Sequence, residues 1–228
     1  LNASIFSNVQ FWKEIKRILM VEWEDWQEMI DDKFRGLIAT RVGPLLRCYQ
    51  IVGLTPNGVT LLGLIFGICS AVAVSQQMYI LALTLWWLGR VFDGTDGIYA
   101  RSLKLQSNFG GYLDIVCDMA AYGAMIIGFM HSYPEFTNWW TLILFLYILC
   151  ITSALALGLL QNQEGVPSTD NRSLRLATGL AEGGETGIFY SLALIFPKWI
   201  FWLCPVWCVV LSVTVVARTL IARKSLKS

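Results

Sequence analysis

Two pairs of aspartates carry the chemistry open to this sequence: Asp93 and Asp96, three residues apart, and Asp114 and Asp118, four apart. On a helix those spacings bring each pair onto one face. Both pairs fall inside apolar runs, where an acid at mid-membrane costs on the order of 3 kcal/mol, so four unpaired ones would cost roughly 12 kcal/mol. Arg90 and Arg101 could cancel two of these charges, which leaves a local balance of minus two. Bound divalent cations would complete the neutralisation. Carboxylate oxygens with no accompanying histidine favour magnesium, manganese or calcium over zinc. Two such ions would make the cluster net positive, able to grip a diphosphate, stabilise charge on phosphorus and a leaving oxygen, and position a nucleophile. Gly94, Gly97, Ala100, Gly110 and Gly111 leave room beside the acids for a bulky ligand, although small residues serve tight helix packing in membranes equally well.

The elements that must hold these acids are membrane helices. Hydrophobic residues make up 56% of the 228-residue chain and charged ones 14%, too apolar for a single soluble core. Counted in spans of about 20 residues, the sequence accommodates six. They are expected at about Pro56–Ser75, Met78–Ala100, Phe109–His131, Trp139–Leu160, Glu185–Phe196 and Trp199–Leu220. Thr55 is the expected N-cap of the first, with Pro56 at its first helical position. The fifth is short, and its start could lie as early as Leu176. Before the spans, Trp12, Ile15, Leu19, Trp23, Trp26, Ile30 and Phe34 recur at helical spacing opposite charged residues. This predicts an N-terminal amphipathic helix that lies in the membrane interface or packs on protein. The predicted fold is therefore all-α: residues 1–54 form an amphipathic, juxtamembrane segment and residues 55–228 a six-helix transmembrane domain.

Basic residues follow spans two (Arg101, Lys104), four (Arg172, Arg175) and six (Arg223, Lys224, Lys227). The loops at the other ends lack them apart from Lys198, so both termini and the acids are expected to face the cytoplasm. The Asn171-Arg172-Ser173 sequon then lies on the wrong side for glycosylation. No cleavable signal peptide is expected in the charged first thirty-five residues, and a chain that begins at Leu1 reads as trimmed. A net charge of +1, with basic and acidic residues interleaved, argues against nucleic acid as a partner. The six cysteines have neither metal-finger nor CxxC spacing and read as small buried hydrophobes. His131, the only histidine, sits at the outer end of span three and reads as structural or interfacial.

The string from Asp93 through Asp96, Gly97, Ala100 and Arg101 to Gly110, Asp114 and Asp118 resembles the signature of the CDP-alcohol phosphotransferase family, with every defining position filled. The entry to the first span, Thr55-Pro56-Asn57 followed by Val59-Thr60-Leu61-Leu62-Gly63, is also similar to that family's first helix. The resemblance covers residues 55 to 118 directly. It implies an enzyme of phospholipid biosynthesis that moves a substituted phosphoryl group from a CDP-linked donor to an alcohol hydroxyl and releases CMP. It implies that Asp93, Asp96, Asp114 and Asp118 hold two divalent cations, Mg2+ or Mn2+, with Asp118 also the general base. Asn57, Asp93, Gly97, Ala100, Arg101 and Gly110 would border the CDP moiety, with Arg101 on the phosphate oxygens. A homodimer is implied as well, in a bacterial inner membrane or the endoplasmic reticulum.

The small size and six-span plan resemble the phosphatidyltransferases, which implies CDP-diacylglycerol as donor and a small polar alcohol as acceptor, the alternative being a CDP-aminoalcohol acting on diacylglycerol. Arg172, Arg175 and Glu185 are candidates for acceptor binding. For the arginines the competing reading is positive-inside topology, and for the glutamate a helix N-terminus. Two other classes compete for the acidic cluster: an intramembrane prenyltransferase, whose motifs are spaced differently, and a cation transporter. CMP release that requires both a CDP donor and an alcohol separates them from the transferase.

Overall fold

The computed structural model describes residues 42–163 and 183–226. All its regular elements among these residues are helical: α1 in residues 42–52, then α2 (Pro56–Ser75), α3 (Tyr79–Ser102), α4 (Asn108–Ser132), α5 (Thr137–Gln163), α6 (Gly183–Ile195) and α7 (Ile200–Ser225). The chain forms two compact units, Leu1–Val52 and Gly53–Ser228, and the second carries the acidic cluster. The expected amphipathic helix within residues 11–37 lies outside the described residues, as do Arg172, Arg175 and the sequon.

Local chemistry sets the helix ends. Thr55 caps α2, its hydroxyl accepting from Gly58 N at 3.1 Å, and Pro56 opens the helix as expected. Ser107 caps α4 in the same way, through Gly110 N at 3.0 Å. At the other ends of α2 and α3 the chain reverses through left-handed residues, Gln77 (φ 59°) and Lys104 (φ 55°). Each is followed by a bond back into the helix, Met78 N to Ala73 O and Leu105 N to Ala100 O, both 2.9 Å. These short reversals make α2, α3 and α4 sequential neighbours, and α2 packs closely on both of the others.

Glycines allow that closeness. A Cβ at Gly89 would lie 3.0 Å from Gly63 O, one at Gly67 2.8 Å from Ala121 Cβ, and one at Gly128 2.5 Å from Ala71 O. Small residues therefore serve as the packing surface at these crossings, as membrane helix pairs commonly use them. Interhelical hydrogen bonds add to it. Ser70 Oγ donates to Ala82 O (2.8 Å), Trp87 Nε1 to Ser191 Oγ (3.0 Å), Tyr190 hydroxyl to Tyr122 O (2.9 Å), Trp207 Nε1 to Tyr147 hydroxyl (3.0 Å), and Arg218 to Cys150 O (2.8 Å). An aromatic core of Trp86, Tyr122, Phe129, Trp140, Phe189, Tyr190 and Trp207 fills the centre.

Among the described residues, four segments are long and apolar enough to cross a membrane: Pro56–Ser75, Asn108–Ser132, Pro134–Gln163 and Pro197–Arg223. Large side chains such as Ile80 (86% exposed) and Trp202 (70%) point outward, an apolar surface suited to lipid rather than water. The chain is thus a multi-pass membrane protein, all-helical in its described residues. The two remaining helices of the six expected spans fall short for distinct reasons. Arg90, Asp93, Asp96 and Arg101 lower the hydropathy of α3. The described part of α6, Gly183–Ile195, has 13 residues, about 20 Å of rise against a hydrocarbon core of about 30 Å. Cys117, Cys150, Cys204 and Cys208 are buried as expected, whereas Cys48 and Cys69 are exposed.

Candidate active site

The α3–α4 reversal sets the geometry. It faces the C-terminal half of α3 toward the N-terminal half of α4, and carboxylate oxygens of Asp93, Asp96 and Asp114 come within 4.8 Å of one another. Asp96 is buried and Asp93 and Asp114 half-buried. Three hard oxygen donors converging from two helices fit a divalent cation of the magnesium or manganese type.

Asp93, Asp96 and Asp118 are held by neighbours. Thr60 of α2 donates to Asp96 Oδ2 at 2.5 Å, and the same hydroxyl lies 3.2 Å from Pro56 O one turn earlier. This places α2 as the third wall of the site, and Gly63 admits it: a Cβ there would lie 3.4 Å from Asp93 N. Asp118 is not among the three clustered acids. Its Oδ1 accepts from Arg90 Nη1 at 2.5 Å, and Tyr122, one turn on, donates to its Oδ2 at 3.4 Å. Arg90 also reaches Asp93 at 3.2 Å, so this one arginine compensates an acid from each pair.

The other candidates take positions around the cluster. Asn57, in the first turn of α2, has its Oδ1 3.4 Å from where a Gly110 Cβ would stand, so these two residues adjoin across the α2–α4 contact. A Cβ at Gly97 would meet the Arg101 guanidinium at 3.4 Å, and Arg101 itself is exposed at the last turn of α3. Ala100 is half-buried one turn above Asp96, and nothing lies within 4 Å of a Cβ at Gly94. Glu185 is exposed in the first turn of α6. That turn approaches the site, because a Cβ at Gly183 would lie 3.0 Å from the Tyr122 hydroxyl. His131 is exposed, 13 residues beyond Asp118 on α4, or about 20 Å along the helix.

Sequence reasoning gave no site role to Trp86, Tyr122 or Thr60, although Thr60 belongs to the first-helix motif. Tyr122 lies at i+4 from Asp118, which is a readable signal. Trp86 stands four residues before Arg90 on α3, a signal of the same kind, whereas the Thr60 contact with Asp96 comes from packing across 36 residues.

Known proteins share both the sequence and the fold. The family model for CDP-alcohol phosphatidyltransferase matches residues 53–214. Inner membrane protein YnjF of Escherichia coli is 34% identical over 168 residues, covering 70% of this chain and 80% of that one. Phosphatidylinositol phosphate synthase of Mycobacteroides abscessus is 31% identical over 111 residues, covering 46% of this chain and 45% of that one. The crystal structure of Mycobacterium tuberculosis phosphatidylinositol phosphate synthase with manganese and citrate superposes with a TM-score of 0.66 at 21% identity, over 78% of this chain and 87% of that one. The same enzyme with CDP-DAG bound gives 0.59 at 22% identity, over 78% and 92%. The prenyltransferase and transporter alternatives are thereby set aside. With its motif residues gathered between α2, α3 and α4, the chain belongs to the CDP-alcohol phosphatidyltransferase family, metal-dependent membrane enzymes that join an alcohol to a phosphate taken from a CDP-linked donor.

Proposed function

We propose that this enzyme transfers a phosphatidyl group from CDP-diacylglycerol to the hydroxyl of a small polar alcohol and releases CMP. The reading rests on one observation: three carboxylates from α3 and α4 converge within 4.8 Å, beside an exposed arginine and a glycine-lined approach. The related fold with CDP-DAG bound supports the choice of donor, and the relatives named as phosphatidylinositol phosphate synthases make inositol phosphate the first acceptor to assay. Arg172, Arg175 and Glu185 are the proposed acceptor-binding residues.

Asp93, Asp96, Asp114 and Asp118 would hold two divalent cations. When bound, these supply Lewis acidity at the phosphate oxygens and neutralise charge in the transition state. The chain's own groups do the rest. Arg101 pairs with phosphate oxygens of the donor, and Asn57, Gly97, Ala100 and Gly110 border the cytidine side. Asp118 accepts the acceptor's hydroxyl proton as that oxygen bonds to the lipid-bearing phosphorus and the bond to CMP breaks. An alcohol is far less acidic than a carboxylic acid, so proton transfer is concerted with attack and the hydrogen bond strengthens toward the transition state. The domain comprises residues 55–228, with the spans that contain α3 and α6 completing six after the amphipathic segment expected at 1–54. Both termini and the site face the cytoplasm, and the enzyme works as a homodimer.

The test is CMP release and lipid product formation by purified enzyme with Mn2+, CDP-diacylglycerol and a panel of alcohols. Asp118→Asn should keep donor binding and lose turnover by about 100- to 10,000-fold, whereas Asp96→Asn should weaken metal dependence and donor binding together. Wild-type turnover by Asp118→Asn would reject the base. Product formed only from a CDP-aminoalcohol and diacylglycerol would reverse the donor assignment.

A further inference from the structure

Arg90 is a fixed cation inside an acidic site. Its Nη1 lies 2.5 Å from Asp118, 3.2 Å from Asp93 and 3.3 Å from the Tyr122 hydroxyl, and its side chain is 10% exposed. The guanidinium stacks over Trp86 at 4.8 Å and Tyr122 at 5.2 Å, and its buried Nε has no hydrogen-bond partner. Two aromatic faces rather than a full set of hydrogen bonds therefore hold it in place. Asp93 belongs both to this ion pair and to the three clustered acids. Asp118, one helical turn from Asp114, is turned to the arginine instead.

We propose that Arg90 is a built-in counter-cation that competes with divalent metal for Asp93 and Asp118, lowering the site's metal affinity while keeping Asp118 oriented. The proposal rests on reading the acidic cluster as the metal and donor site. The physical argument has two parts. Without metal, four carboxylates among membrane helices need a compensating charge, and Arg90 supplies it at the two acids it touches. With metal, like charges repel at short range across a medium of low effective dielectric, so an arginine that aromatic stacking prevents from leaving opposes the incoming ion. Arg90 is thus a positioning residue that sets metal affinity and the direction of Asp118.

The test is a titration of detergent-purified wild type, Arg90→Gln and Arg90→Lys with Mn2+ alone, with free Mn2+ followed by electron paramagnetic resonance. Removing the charge should tighten Mn2+ binding at least about tenfold. Lysine keeps the charge but, as a single flexible ammonium, lacks the guanidinium's planar fork and stacking, so it should tighten binding by a smaller factor of about two to three. In the CMP-release assay, Arg90→Gln should reach half-maximal rate at lower Mn2+ and yet turn over more slowly at saturation. A purely structural role predicts weaker Mn2+ binding in both variants. Unchanged or weaker binding by Arg90→Gln overturns the proposal. If that variant does not fold, unchanged or weaker binding by Arg90→Lys does the same. Wild type that binds Mn2+ while neither variant gains affinity sinks this proposal alone, whereas wild type that binds none sinks the metal-site reading along with it.

Discussion

Gly128→Ala tests whether glycine-set contact holds α2 against α4. The new Cβ would stand 2.5 Å from Ala71 O and 3.2 Å from both the carbonyl carbon and Cα of that residue. Ordinary contact begins at about 3.5 Å, so the two helices must part by about 1 Å at that crossing. The obstructing atoms are main chain and cannot swing aside. Overpacking of this kind costs about 1–3 kcal/mol, and the steric conflict here belongs at the upper end. Alanine's better helix propensity returns about 1 kcal/mol, which leaves a net loss of about 2 kcal/mol, or roughly thirtyfold in the folded-to-unfolded ratio. In a thermal scan of the detergent-solubilised enzyme, the midpoint should fall by several degrees. Gly128 is ten residues from Asp118, about 15 Å along α4, so CMP release per folded molecule should be unchanged at low temperature. Gly94→Ala is the control: its Cβ meets nothing within 4 Å, so its midpoint should match or exceed wild type. Gly128→Ala melting with wild type, or Gly94→Ala falling as far, would refute the argument that close main-chain approach fixes this crossing.

Thr60→Val should leave the buried Asp96 without its 2.5 Å donor and cost about 1.5–3 kcal/mol in chelator. Mn2+ should restore part of that, so the variant's thermal midpoint should rise more on adding Mn2+ than wild type's does. An equal rise in both would count against the Thr60 contact. Arg101→Ala removes a charged donor to phosphate worth about 1.5–3 kcal/mol, so the donor KM should rise by about 10- to 150-fold with a smaller change in kcat. An unchanged KM would remove Arg101 from the donor site.

The acids were readable because their spacing on helices and their cost in lipid are both properties of the sequence. The expected boundaries of the first span match α2, Pro56–Ser75, because Thr55 and Pro56 mark its start chemically. What pairs with what was less readable. Arg90 and Arg101 looked equivalent as counter-charges, yet only Arg90 forms ion pairs with two of the acids, and it does so across 28 residues to Asp118. The Thr60 to Asp96 contact spans 36 residues and follows from how closely Gly63 lets α2 approach α3, a result of packing rather than pattern. The hydropathy of α3 misleads for the same reason that the helix matters: its charges serve the site.

The hairpin closed by the left-handed Lys104 has a wider consequence. Every group proposed to grip cations and the donor's phosphates lies between Asp93 and Asp118, on two successive helices joined by five residues. Such a cassette assembles through short-range closure. Helix α6 reaches the same two helices outside that stretch, through polar ties that include Trp87 to Ser191 and Tyr190 to Tyr122. On the proposed assignment of acceptor binding to Arg172, Arg175 and Glu185, chemistry and choice of alcohol can diverge separately, with the cassette kept constant while the segment after α5 varies.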